Sequence, residues 1–172
     1  PEPDSTGSLS FNKNLNIDGI LPFINSVTSL DSSGTYIFGD TIDIAMNFSK
    51  QMNVTGTPQL LLETGSNDAS IPYLSGAGSE TLVFRYIIES GHSSNDLSYQ
   101  SDSSLVLNGG SITDLAGNRL LLNLPEIGST FSISGSRDIY VDGDVPDAPT
   151  DLIATPGSGK VDLTWTENTE AD

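Results

Sequence analysis

The chain contains no cysteine. A disulfide framework, a thiolate metal site and a cysteine nucleophile are thereby excluded. Any stiffening of an exported protein would have to come from calcium or from repetition. Basic residues are also scarce: 6 Lys and Arg face 23 Asp and Glu, for a formal net charge of −17. Such a field repels phosphate backbones, which argues against nucleic-acid partners and against anionic membranes. Divalent cations are its natural counter-ions. Histidine occurs once, at His92. It has no companion at a zinc-ligand spacing, and any Ser-His-Asp set would have to use it. Aromatics make up 7% of the residues, with one Trp, and most fall on expected core positions. That leaves too few exposed rings for a carbohydrate-binding platform. No apolar run approaches the ~20 residues of a membrane span, so no membrane insertion is expected. A start at Pro1, without a Met or a signal-peptide pattern, is expected of an excised or mature segment.

What the sequence has is short alternating apolar runs separated by Gly, Ser, Asn and Asp. This pattern predicts an all-β fold, an immunoglobulin-like β-sandwich of seven to nine strands. Thr41–Phe48 is the clearest strand, with Ile42, Ile44, Met46 and Phe48 inward and Asp43 and Asn47 outward. Thr81–Glu89 repeats the pattern with Leu82, Phe84, Tyr86 and Ile88. Further strands are expected at Phe23–Thr28, Pro58–Glu63, Ser70–Leu74, Leu105–Asn108, Arg119–Leu122, Phe131–Ser134 and Arg137–Val141. No segment sustains a helical period.

An internal echo organises the chain. Lys13-Asn14-Leu15-Asn16-Ile17-Asp18-Gly19-Ile20-Leu21-Pro22 lies over Arg137-Asp138-Ile139-Tyr140-Val141-Asp142-Gly143-Asp144-Val145-Pro146 at an ungapped offset of 124 residues. Upstream, Gly7-Ser8 is matched to Gly128-Ser129 after a small gap. The simplest account is a tandem array. Residues 1–22 are then the last strand and linker of a preceding repeat, and residues 23–146 a complete module. After Pro146 the texture changes. An Ala148-Pro149 opening, a Leu152-x-Ala154 step and an alternating strand Val161-x-Leu163-x-Trp165 follow. Residues 147–172 resemble the first strands of a fibronectin type III domain, too short to fold alone.

The central module also carries Gly34-Thr35-Tyr36-Ile37-Phe38-Gly39-Asp40, Asn47-Phe48-Ser49, Val54-Thr55-Gly56-Thr57-Pro58, Asp114-Leu115-Ala116-Gly117-Asn118 and Ile139-Tyr140-Val141-Asp142-Gly143. In order and spacing these resemble the immunoglobulin-like, cadherin-like repeats of large bacterial surface adhesins. One departure is Lys50, which follows Phe48-Ser49 where such repeats often carry an acid. The resemblance implies a secreted or cell-surface bacterial protein and a non-catalytic, structural or adhesive role.

Calcium takes six to eight oxygen ligands, and junctions between sandwiches gather them from several loops. The candidates are Asp142, Asp144 and Asp147 at the downstream linker, and Asp18 at the upstream one. Others are Asp114 with Asn118 around a small turn, and Glu89 with Asp96 around the loop Ser90–Asn95. The competing reading of each Asp is a self-closed turn. The leading expectation is a calcium-stiffened spacer whose partners are neighbouring immunoglobulin-like and fibronectin type III modules. The alternatives are a filament or surface-layer subunit, a homo-oligomer built by strand exchange through residues 7–18 or 150–166, and an accessory module of a secreted carbohydrate-active enzyme.

Overall fold

The computed structural model describes residues 2–13 and 17–167. In chain order its elements are a helical turn α1 (Leu9–Asn12), then β1 (Ile24–Ser29), β2 (Gly34–Ile37), β3 (Thr41–Thr55), β4 (Gln59–Glu63) and β5 (Ala69–Ser75). There follow β6 (Ser79–Ile87), β7 (Ser93–Ser94), β8 (Ser98–Tyr99), β9 (Leu105–Val106) and β10 (Ser111–Asp114). A second helical turn, α2 (Ile133–Ser136), precedes β11 (Ile139–Asp142), and a hairpin of β12 (Thr150–Gly157) and β13 (Lys160–Thr166) closes the order. The protein is all-β, a β-sandwich with further units at both ends.

The larger sheet runs β1-β3-β6-β5-β4-β8, with β10 added on β3 and β9 on β4. A second sheet has the order β2-β11-β7, in which β11 runs parallel to β2. Alternation explains the packing. Ile42, Ile44, Met46 and Phe48 of β3 lie beside Leu82, Phe84 and Tyr86 of β6, and all are buried. Leu60 and Leu62 of β4, Tyr99 of β8, and Ile139 and Val141 of β11 join the same core. Each fully buried Leu, Ile or Phe stabilises by about 1.5–3 kcal/mol relative to exposure, so this interior accounts for the fold.

Several elements depart from expectation. β3 runs seven residues beyond Phe48, because its pairing shifts between Asn47 and Met52 and its far end is taken up by β10. Arg119–Leu122 is not a strand; it contributes one isolated bridge, Thr113 to Arg119. Phe131–Ser134 leads into α2 instead of forming a strand. There the Ser132 hydroxyl accepts the Gly135 N–H and caps the turn, and local side-chain capping outweighs β-propensity. Asp43 is not fully outward. It is half-buried and takes two hydrogen bonds from Arg85, each of 2.7 Å.

The ends behave differently from the body. All of residues 148–167 are exposed, including Leu152, Ile153, Val161, Leu163 and Trp165 of the hairpin. At the other end Leu9 is 70% and Ile17 88% exposed. The last strand expected within residues 1–22 falls partly on residues 14–16, outside the described residues.

Candidate functional site

The upstream end of the sandwich is built on two local turns. At the end of β10, Asp114 Oδ1 accepts the backbone N–H groups of Ala116 (3.0 Å) and Asn118 (2.8 Å). The Gly117 N–H returns to the Asp114 carbonyl. This is the self-closed Asx turn, and it leaves Oδ2 directed at neighbours. In the linker, Asp18 Oδ1 accepts the Ile20 N–H at 3.0 Å.

Lys50 joins the two. It sits in β3 where the pairing partner changes, between Asn47 and Met52. Its ammonium reaches Asp114 Oδ2 at 2.8 Å and Asp18 at 2.7 and 2.9 Å, and it donates to the Ile20 carbonyl. An ammonium has three N–H donors, so four oxygens share them. Asn118 closes the ring: its Nδ2 donates to Asp114 Oδ2 (2.9 Å) and to the Asp18 carbonyl (3.0 Å). Next to this cluster, Phe23 and Ser49 exchange hydrogen bonds, and the Leu121 N–H donates to the Pro22 carbonyl.

The electrostatics follow from the geometry. The Asp114 side chain is 2% exposed. The Lys50 hydrogen bond, with help from Asn118, holds its carboxyl far below the usual carboxylate range against the cost of burial. Lys50 likewise lowers Asp18, aided by the Ile20 amide. The two carboxylates raise Lys50 in return, Asp114 more than Asp18.

Three of the expected calcium ligands, Asp18, Asp114 and Asn118, are therefore brought together, but not as a calcium site. Calcium would need six to eight oxygens around an open centre. Here the centre holds the Lys50 ammonium, and Asn118 points its N–H donors, not its carbonyl, into the cluster.

The other candidates remain apart. Glu89 is exposed at the end of β6, and its carbonyl accepts the His92 N–H. Asp96 is raised by partial burial and then by the charge of Asp138, not by Glu89. Asp142 Oδ1 accepts the Asp144 N–H at 3.1 Å, and Asp144 and Asp147 are exposed. Among the described residues no three His, Cys, Asp or Glu side chains gather into a group able to hold a metal ion.

His92 is buried, at 6% exposure, rather than carried on an open polar loop. Its Nδ1 accepts the Glu89 N–H (3.2 Å) and lies 3.0 Å from the Tyr86 hydroxyl. Because the amide must donate, Nδ1 is unprotonated and the hydroxyl also donates. Burial raises the Tyr86 phenol well above its ordinary value, with the Glu89 charge adding to it. His92 also lines a groove of about 440 Å³ between Asp68–Pro72 and Arg85–Glu89. With Nδ1 committed to two donors, it stands as a strut of the loop rather than as a base.

The offset of 124 residues reappears as geometry. Ser8 and Ser132 each cap a four-residue turn by accepting the N–H three residues on, at 3.2 Å in both. Lys13 and Arg137 close the turns through their N–H groups to the Leu9 and Ile133 carbonyls. Lys13 and Arg137 both have φ −146°. Ser5 and Ser129 each donate to the carbonyl of a Glu, Glu2 and Glu126. Asp4 and Gly128 share a left-handed backbone, φ 64° and 80°. Asp18 and Asp142 close the same turn onto the amide two residues on. The small gap expected upstream is not there: Ser8 corresponds to Ser132, and Gly7 to Phe131. Pro1-Glu2 over Pro125-Glu126 and Ser5-Thr6 over Ser129-Thr130 were legible at the same offset.

No protein-family model matches the chain, and no curated protein or solved structure does.

Proposed function

We propose that this chain is a non-catalytic spacer from a tandem array in an extracellular bacterial surface protein. In this reading an immunoglobulin-like, cadherin-like module occupies residues 23–146. It is preceded by the tail of a like module and followed by the opening strands of a fibronectin type III unit. The observation that carries the reading is the capped turn and Asp-Gly linker recurring 124 residues apart. Burial adds to it. Ile133 and Val141 are 0% and 1% exposed in the core, whereas their counterparts Leu9 and Ile17 lie open. Residues of that kind are expected to belong in the interior of a preceding sandwich. Calcium enters the proposal at the downstream seam, where Asp142, Asp144 and Asp147 would be completed by oxygens of a following module.

The work of such a module is mechanical. Pulled between its ends, residues 23–146 should unfold as one event. A stretch of 124 residues at about 3.3–3.6 Å each gives a contour gain near 400 Å. Extension of the chain without a force peak would end the spacer reading.

A second reading is a filament joined by strand exchange. It is favoured by the open apolar side chains of the β12–β13 hairpin, since an uncovered strand pair is a template for another chain. Light scattering over a concentration series separates the two: a spacer stays monomeric, and a filament subunit grows.

A further inference from the structure

We propose that Lys50 is the built-in cation of the upstream joint: Lys50, Asp114 and Asn118 form a docking surface for the Asp-Gly linker of a preceding repeat, closed without a divalent metal. That the linker belongs to a preceding repeat rests on the tandem reading; the chemistry of the dock does not.

Polar contacts are what seat this linker. Ile17 and Ile20 are 88% and 71% exposed, so apolar packing does not hold residues 17–20. Asp18 is held through both carboxylate oxygens and its carbonyl, and Ile20 through its carbonyl. Two carboxylates and a carbonyl converging on one point make an oxygen cage that demands a cation. Lys50 supplies it from within β3, with its own side chain 22% exposed. Asp114 is committed from beneath, because its Oδ1 is consumed by the Asx turn. The surface therefore recognises a carboxylate followed two residues later by a free backbone carbonyl. An Asp-Gly linker provides this, because the short Asp side chain folds back on the amide two residues on, and the chain turns its carbonyls inward.

The test is backbone relaxation of the ¹⁵N-labelled full chain, in chelator and then in calcium. In the wild type, Asp18, Gly19 and Ile20 should show order parameters near those of the strands, about 0.85, in both conditions. In Lys50→Met they should fall to about 0.6 or below. Asp18→Ala, a change in the linker itself, should release residues 17–20 in the same way without shifting the melting of the sandwich, and so covers the case in which Lys50→Met disturbs the fold. A wild-type linker that is mobile in chelator and ordered by calcium would overturn the proposal, as would a linker that stays ordered in both variants. Neither result touches the single force peak on which the spacer reading depends.

Discussion

The Asp-Gly pair at the two linkers allows a paired experiment on one residue type. Gly143 packs into the loop that His92 braces. Its N–H donates to the His92 carbonyl at 2.7 Å, and its own carbonyl accepts the Gly91 N–H. A Cβ built there would lie 2.3 Å from the Glu89 carbonyl oxygen and 2.7 Å from that of His92. Both are backbone atoms, so no rotamer relieves the clash. Overpacking of this kind costs about 1–3 kcal/mol, and weakening the Gly143 hydrogen bond adds ~1 kcal/mol. Gly143→Ala should therefore lose about 2–4 kcal/mol. At ~4 °C per kcal/mol for a domain of this size, the melting transition should fall by roughly 8–16 °C. Gly19 holds the equivalent place in the upstream linker, where a Cβ would meet nothing within 4 Å. Gly19→Ala should leave the transition unchanged. On the proposed tandem reading, in a longer chain that carries a preceding repeat, the same substitution should become as costly as Gly143→Ala. Urea melts followed by far-UV circular dichroism measure all three. If Gly143→Ala costs less than ~1 kcal/mol, or Gly19→Ala costs as much in the present chain, the claimed equivalence of the two linkers is wrong.

Acid should loosen the upstream joint. Asp114 has a folded value below 3.8, so its contribution to the sandwich is complete above 3.8 and is lost as pH falls through the lower, folded value; Asp18, also lowered, acts on the seating of residues 17–20 and not on the melting. Lys50 is raised above 10.5, so its share is complete below 10.5 and is lost as pH rises through the folded value. Melting temperature against pH should therefore fall at both limbs, and Asp114→Asn should flatten the acid one; an unchanged acid limb would refute the assignment. His92→Ala removes the acceptor for the part-buried Glu89 N–H and the buried Tyr86 hydroxyl, and a buried group left unpartnered costs about 1–3 kcal/mol. Urea melts should show a loss of about 1–3 kcal/mol, against near-neutrality if His92 were only a surface loop residue. Trp165, 52% exposed on the hairpin, should emit like an indole in water, be readily quenched by iodide, and not report the unfolding of the sandwich. A blue-shifted, protected emission would mean that the hairpin face is covered by another chain.

Much of the architecture was legible from period alone. Side chains alternate across a strand, so Ile42, Ile44, Met46 and Phe48 had to share a face, as did Leu82, Phe84, Tyr86 and Ile88, and both sets are buried. The offset of 124 was legible for the same reason that it is structural: a capped turn and an Asx turn are local motifs, specified by residues a few positions apart. Lost to the sequence were outcomes set by partners far along the chain. Thr41–Thr55 continues past Phe48 only because β10, more than fifty residues on, pairs with its far end. Phe131–Ser134 has strand-like composition, yet a serine cap turns it into a helical turn. Asp18, Asp114 and Asn118 were singled out from the sequence as oxygen ligands, but at separate places, and nothing local showed that they meet. Which cation they meet depends on where β3 delivers Lys50, 32 residues from Asp18 and 64 from Asp114. Charge and spacing mark these carboxylates as candidates either for a positive partner or for a self-closed turn. Only the tertiary fold decides that the partner is an ammonium from the same chain, because contact at that range is a property of strand pairing and not of local sequence.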